Sequence, residues 1–138
     1  MRVLLAEDNE INQEVAMELL TSVAGVAVTI AANGREALEH LRAADFDAVL
    51  MDIQMPEMDG YEATRQIRAD PRWQKLPIIA MTAHAMVQYR ESCLQIGMND
   101  FVGKPFDPDE LFAVLARWSP AALASESVLP GADLAQPK

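Results

Sequence analysis

Basic residues are scarce: 11 lysines and arginines stand against 21 acids, for a net charge of −10. A duplex-binding domain shows a basic face, so direct contact with nucleic acid is not expected. Cysteine occurs once, at Cys93. An internal disulfide is therefore excluded, and a reducing, cytoplasmic compartment fits. No apolar run approaches the roughly 18 residues a spanning helix needs. The apolar stretch after Met1 is too short for a signal peptide, and no direct membrane contact is expected of this domain. No internal repeat occurs. What the chain does have is 51% apolar residues over 138 positions, enough for one domain with its own core.

Four short apolar runs stand out, at 3–6, 26–31, 48–51 and 78–81, with a weaker fifth at 100–103. None alternates cleanly, which suits strands buried on both faces of a parallel sheet. Helical patterns lie between them. Ile11, Val15, Leu19 and Val23 recur every four residues and predict the first core-facing stripe. Asn33 is a candidate N-cap with Glu36 three residues on, ahead of Ala37, Leu38 and Leu41. Helices are expected over 58–69 and 85–96. A last one opens with Asp107 as cap, Pro108 in the first turn and Glu110 completing a capping box. Its face is Leu111, Val114, Leu115 and Trp118. Five β-α repeats predict a five-stranded parallel sheet with helices on both faces; the order 2-1-3-4-5 of doubly wound, flavodoxin-like folds is the one expected among those such a sheet allows. The domain spans 1–118. Residues 119–138, rich in Pro and Ala, read as a flexible linker or tail.

Polar residues fall where strands end. Glu7-Asp8 follow the first strand, Asp52 ends the third, Thr82 ends the fourth and Lys104 follows the fifth. Binding sites of open parallel sheets lie at the carboxyl ends of strands, where the strand order reverses. In the order 2-1-3-4-5, Glu7, Asp8 and Asp52 converge. Each residue alone has an ordinary use, as a capping acid, a loop acid, a strand-end hydroxyl or a surface lysine. Together they require five polar residues to reach strand ends by chance. Converging carboxylates repel by about 4 kcal/mol per pair at ~4 Å and an effective dielectric near 20. Hard oxygen ligands with room for water suit Mg²⁺. Lys104 adds a second positive charge and Thr82 a hydroxyl donor. These are the parts of a phosphoryl-transfer site built around a carboxylate nucleophile.

The stretches Ala6-Glu7-Asp8-Asn9, Met51 to Gly60 (Met-Asp-Ile-Gln-Met-Pro-Glu-Met-Asp-Gly), Ala80-Met81-Thr82-Ala83 and Val102-Gly103-Lys104-Pro105 closely resemble the receiver domain of two-component response regulators. The likeness covers about 1–118, and the wording around Asp52 and Thr82 is most similar to receivers of hybrid sensor histidine kinases. The resemblance implies that Asp52 is the phospho-acceptor. It implies that Asp8, Asp52 and the Gln54 carbonyl bind Mg²⁺, with Glu7 acting through a metal-bound water. Thr82 and Phe101 would form the switch, Lys104 would pair with the phosphoryl group, and Gln54 and His84 would tune its lifetime. The implied donor is a histidine kinase or histidine phosphotransfer domain. The domain would lie in the cytoplasm, alone or as part of a larger membrane-bound kinase. The first acid is Glu where Asp is commoner, and the switch aromatic, Phe101, lacks a hydroxyl.

Two other readings stand beside phosphorelay signalling through a hybrid kinase: a stand-alone single-domain regulator, and a protein-interaction module that needs no phosphate. A flavin protein of the same topology would need a loop after the first strand rich in Ser, Thr and Gly; here that loop is acidic. A haloacid-dehalogenase-type phosphatase would need an acid two positions after Asp52, where Gln54 stands. Cys93 is expected to be buried and inert, and the methionines around the site (51, 55, 58, 81, 86 and 98) to fill the core. His40 is expected on a solvated helix face, and Trp73 as a lid over a sheet edge.

Overall fold

The computed structural model describes residues 1–22, 26–82, 87–103 and 107–118. Strands β1 (Arg2–Ala6), β2 (Ala27–Ala31), β3 (Ala48–Asp52), β4 (Ile78–Thr82) and β5 (Asp100–Gly103) alternate with helices α1 (Glu10–Thr21), α2 (Gly34–Ala43), α3 (Gly60–Ala69), α4 (Val87–Ile96) and α5 (Pro108–Trp118). A single 3₁₀ turn, Pro71–Trp73, leads into β4. The five strands pair in parallel in the expected order β2-β1-β3-β4-β5. No helix among the described residues is long and apolar enough to cross a membrane.

The unbroken apolar runs follow from two cores, one on each face of the sheet. Leu4, Val49, Met51, Ile78 and Ala80 face one way, against Ala37, Leu38 and Leu41 of α2, Ala63 and Ile67 of α3, and Cys93 of α4. Their strand neighbours Val3, Leu5, Leu50, Ile79 and Met81 face the other way, against Ala16 and Leu20 of α1 and Leu111, Val114 and Leu115 of α5. Each strand still alternates between faces, but both faces are apolar, so no polar beat survives in the sequence. The interior strands β3 and β4 are buried throughout, whereas the edge strand β2 is only half-buried over most of its length.

Of the stripe expected on α1, Leu19 packs half-buried beside the core and Ile11 and Val15 do not. Ala16 and Leu20 are buried, whereas Ile11 is 70% exposed and Val15 42% exposed. Steps of four residues drift around a 3.6-residue helix, and a helix lying close on a sheet needs a small residue at the contact. Ala16 meets that need, and a search for large apolar residues passes over it. Val23 lies outside the described residues. The α2 cap forms as expected: the Glu36 N–H donates to Asn33 Oδ1 at 2.9 Å, and Glu36 Oε1 accepts from Ala32 N at 2.8 Å. At α5, Asp107 Oδ1 accepts from Asp109 N at 3.0 Å, while Glu110 Oε1 accepts from Gly103 N at 3.4 Å. Glu110 thus ties the helix to β5 instead of closing a capping box.

Trp73 is not at a sheet edge. It precedes β4, an interior strand, and packs on the core shared with α2 and α3. Its carbonyl accepts from Arg68 Nη1 at 2.7 Å, and the same guanidinium reaches the Gly97 carbonyl at 2.8 Å and Asn99 Oδ1 at 2.7 Å. Arg68 thereby joins α3 to the turn between α4 and β5, and its burial lowers its pKa. Cys93 is buried, and desolvation pushes its thiol above the ordinary range. Met51, Met81 and Met98 are buried, with Met55 and Met58 packed beside the core, so these five fill space as expected. His40 is half-buried on α2.

Candidate phospho-acceptor site

Register brings the acids together. Ala6 pairs with Met51 across β1 and β3, so the next residues, Glu7 just past β1 and Asp52 at the end of β3, stand side by side. Asp52 pairs in turn with Met81, and Thr82 with Gly103. The resulting cleft at the carboxyl end of the sheet is about 220 Å³, lined by Glu7, Asp8, Asn9, Asn12, Asp52, Ile53, Gln54, Met81 and Thr82. It opens between β1 and β3, where the chain's winding reverses direction.

Local bonds hold the acids in place. Glu7 Oε2 accepts from the Asn9 N–H at 3.0 Å and from Asn12 Nδ2 at 3.5 Å. The Glu7 carbonyl accepts from Gln13 Nε2 at 2.6 Å, and the Glu7 N–H donates to the Ala31 carbonyl at 2.9 Å. The first turn of α1 thus fixes a residue that is only 1% exposed. Asn9 caps that turn by accepting from Asn12 N. Asp52, 5% exposed, accepts at Oδ1 from Gln54 N at 3.2 Å. Ile53 N donates to the Met81 carbonyl at 3.3 Å, and Gly60 N returns to the Ile53 carbonyl at 2.9 Å, closing the loop that leaves Asp52.

Glu7, Asp8 and Asp52 each offer a carboxylate oxygen, and these atoms lie within 4.8 Å of one another. At such a separation each pair of charges repels by about 3–4 kcal/mol if the effective dielectric is near 20. Among the described residues, the polar groups lining the cleft are oxygens and amides, with neither His nor Cys. A small, open cluster of hard oxygens fits a divalent cation of the Mg²⁺ type that retains part of its water shell.

Of the residues singled out from the sequence, Glu7, Asp8, Asp52, Gln54 and Thr82 all line this cleft. Phe101 is half-buried on β5, opposite Ala80 and against the core shared with α2 and α3. Lys104 and His84 lie outside the described residues. Asn12 and Gln13 were not singled out. The available signal was three amides (Asn9, Asn12 and Gln13) in the opening turn of a helix that starts beside an acidic pair.

A model of the response regulator receiver domain matches residues 3–116. The chain belongs to that family. As a receiver it is 47% identical to the receiver domain of the sensor histidine kinase PA1611 from Pseudomonas aeruginosa PAO1. That structure, with magnesium coordinated in its active-site cleft, superposes with a TM-score of 0.78 over 85% of this chain and 95% of that one. The receiver domain of Ssk1, solved with the histidine phosphotransfer protein Ypd1 of Saccharomyces cerevisiae, gives a TM-score of 0.80 at 28% identity over 86% and 88% of the two chains. Among curated proteins, the receiver is 37% identical over 129 residues to the signal transduction histidine-protein kinase BarA of Escherichia coli K12, covering 94% of this chain. It spans 14% of the length of that relative.

Proposed function

We propose that this receiver takes a phosphoryl group from a phosphohistidine onto Asp52, as the receiver module of a hybrid sensor histidine kinase in a cytoplasmic phosphorelay. The observation that carries the reading is the convergence of Glu7, Asp8 and Asp52 at one strand-end cleft. Asp8, Asp52 and the Gln54 carbonyl would hold Mg²⁺, with Glu7 acting through one of its waters. Bound there, the ion offsets charge on the phosphoryl oxygens and lowers the barrier to their approach.

An Asp52 carboxylate oxygen attacks phosphorus in line. The new O–P bond forms as the P–N bond breaks, and the departing imidazole keeps the electron pair and takes up a proton. The Gln54 N–H, bonded to Asp52 Oδ1, orients the carboxylate. Thr82, buried at the end of β4, offers its hydroxyl to the phosphoryl group. The family resemblance gives Lys104 the pairing role and His84 a part in lifetime. With Thr82 drawn inward, Phe101 follows, and the surface of α4, β5 and α5 shifts between two populations.

The donor would be a histidine kinase or histidine phosphotransfer domain, in keeping with the Ypd1 complex of the related receiver. The exposed Ile11 and Val15 support such docking. They sit on α1, whose first turn also carries Asn12 into the cleft. The test is incubation with a small acyl-phosphate donor, with and without Mg²⁺, read by intact mass and peptide mapping. A gain of one phosphoryl group at Asp52 that needs Mg²⁺ and is absent from Asp52→Asn is the expected result. Labelling of that variant at a comparable rate would refute the assignment, and a phosphate-independent module would show no labelling at all.

A further inference from the structure

The loop between β3 and α3 carries Gln54, and it is held from outside by α2. Gly34, the first residue of α2, donates its N–H to the Met58 carbonyl at 3.0 Å. The approach is close enough that a Cβ on Gly34 would lie 2.7 Å from that oxygen. Next to it, the Arg35 guanidinium grips Glu57 Oε1 with two donors, Nε at 3.2 Å and Nη2 at 2.7 Å. Glu57 is the one residue other than glycine with positive φ among those described, at 64°. A side chain with a Cβ adopts that conformation only where its surroundings hold it. The second partner of Arg35, Glu39 at 3.3 Å, lies on its own helix and does not touch the loop.

We propose that Arg35 is a positioning residue for the phosphorylation site: by pairing with Glu57 it keeps the 53–59 loop in the turn that presents the Gln54 carbonyl to Mg²⁺. The inference rests on the phospho-acceptor reading above. Arg35 touches neither Asp52 nor the cleft and acts only through Glu57. Being exposed, the pair is of modest strength, and its effect on the metal site is correspondingly modest.

The sign of the charge effect makes the idea testable. Arg35→Glu adds negative charge near the acids and, by charge alone, would tighten Mg²⁺. Glu57→Arg adds positive charge and would weaken it. Positioning predicts that both single reversals weaken Mg²⁺, by about two- to fivefold. The double reversal, Arg35→Glu with Glu57→Arg, would return to near the wild-type value. Glu39→Gln, which removes only the intrahelical partner, would change nothing.

The measurement is a Mg²⁺ titration of the unphosphorylated protein followed by the Gln54 amide resonance. Thermal unfolding of each variant shows that it is folded. Tighter binding in Arg35→Glu, or a double reversal no better than the weaker single, overturns the positioning role while wild-type binding leaves the phospho-acceptor reading standing. A wild-type protein that does not bind millimolar Mg²⁺ overturns both.

Discussion

Gly60 has no room for a side chain. A Cβ there would sit 2.3 Å from the Asp52 carbonyl oxygen and 3.0 Å from the Ile53 Cα, so backbone would have to yield. That backbone belongs to the residue expected to carry the phosphoryl group. Gly60→Ala should therefore cost about 1–3 kcal/mol, in the range of other overpacking changes. Urea unfolding followed by circular dichroism would measure it, and a loss within experimental error would show that the loop yields freely. The acids were legible only as a set, because Glu7-Asp8 and Asp52 both come where an apolar run stops, while each alone has an ordinary use. Arg35 and Glu57 were not. They lie 22 residues apart, and a surface pair leaves no pattern in a sequence until two elements are known to touch. Lys104 was equally legible from its place after the fifth strand, and its surroundings lie outside the described residues.

Among the elements, α1 departs furthest from expectation. Its large apolar residues at 11 and 15 face solvent, and its contact with the sheet is made through Ala16 and Leu20. An exposed apolar pair beside the acidic cleft suits a partner. If a protein donor docks there, Ile11→Ser with Val15→Ser should lower kcat/KM for transfer from a phosphorylated histidine phosphotransfer domain by about tenfold, or about 1.4 kcal/mol. The rate with a small acyl-phosphate donor supplies the comparison. Equal losses with both donors would place the damage in the cleft, not at the docking face. Helices α2 and α5 behaved more simply, since Asn33 and Asp107 announce their own caps and the apolar stripes follow at the right spacing. Even there the partner of Glu110 was decided by the neighbouring strand, because Gly103 N competes for the carboxylate that a capping box would use.

At the scale of the whole molecule, charge and topology act together. A chain of net charge −10 concentrates three carboxylates at one end of its sheet, and their mutual repulsion opposes folding. A cation bound there binds the native state and not the unfolded chain, because only the fold assembles the cluster. Mg²⁺ at ten times its dissociation constant should therefore raise the unfolding free energy by about 1.4 kcal/mol. A chelator should remove that increment, and Asp52→Asn should reduce it. Calorimetric scans with and without the ion would check this. An unfolding temperature indifferent to Mg²⁺ would contradict a folded-state metal site.

The sequence by itself determined the class of fold and the identity of the acids. Those features are local: apolar runs of strand length, caps at helix starts, and polar residues where runs end. Tertiary structure decided what proximity alone can decide. Parallel register set Glu7 beside Asp52, the close approach of α1 to the sheet chose Ala16 over Ile11, and the docking of α2 on the 53–59 loop joined Arg35 to Glu57. The physical reason is the same in each case: the interaction energies fall off within a few ångströms, and only the folded chain says which residues come that close.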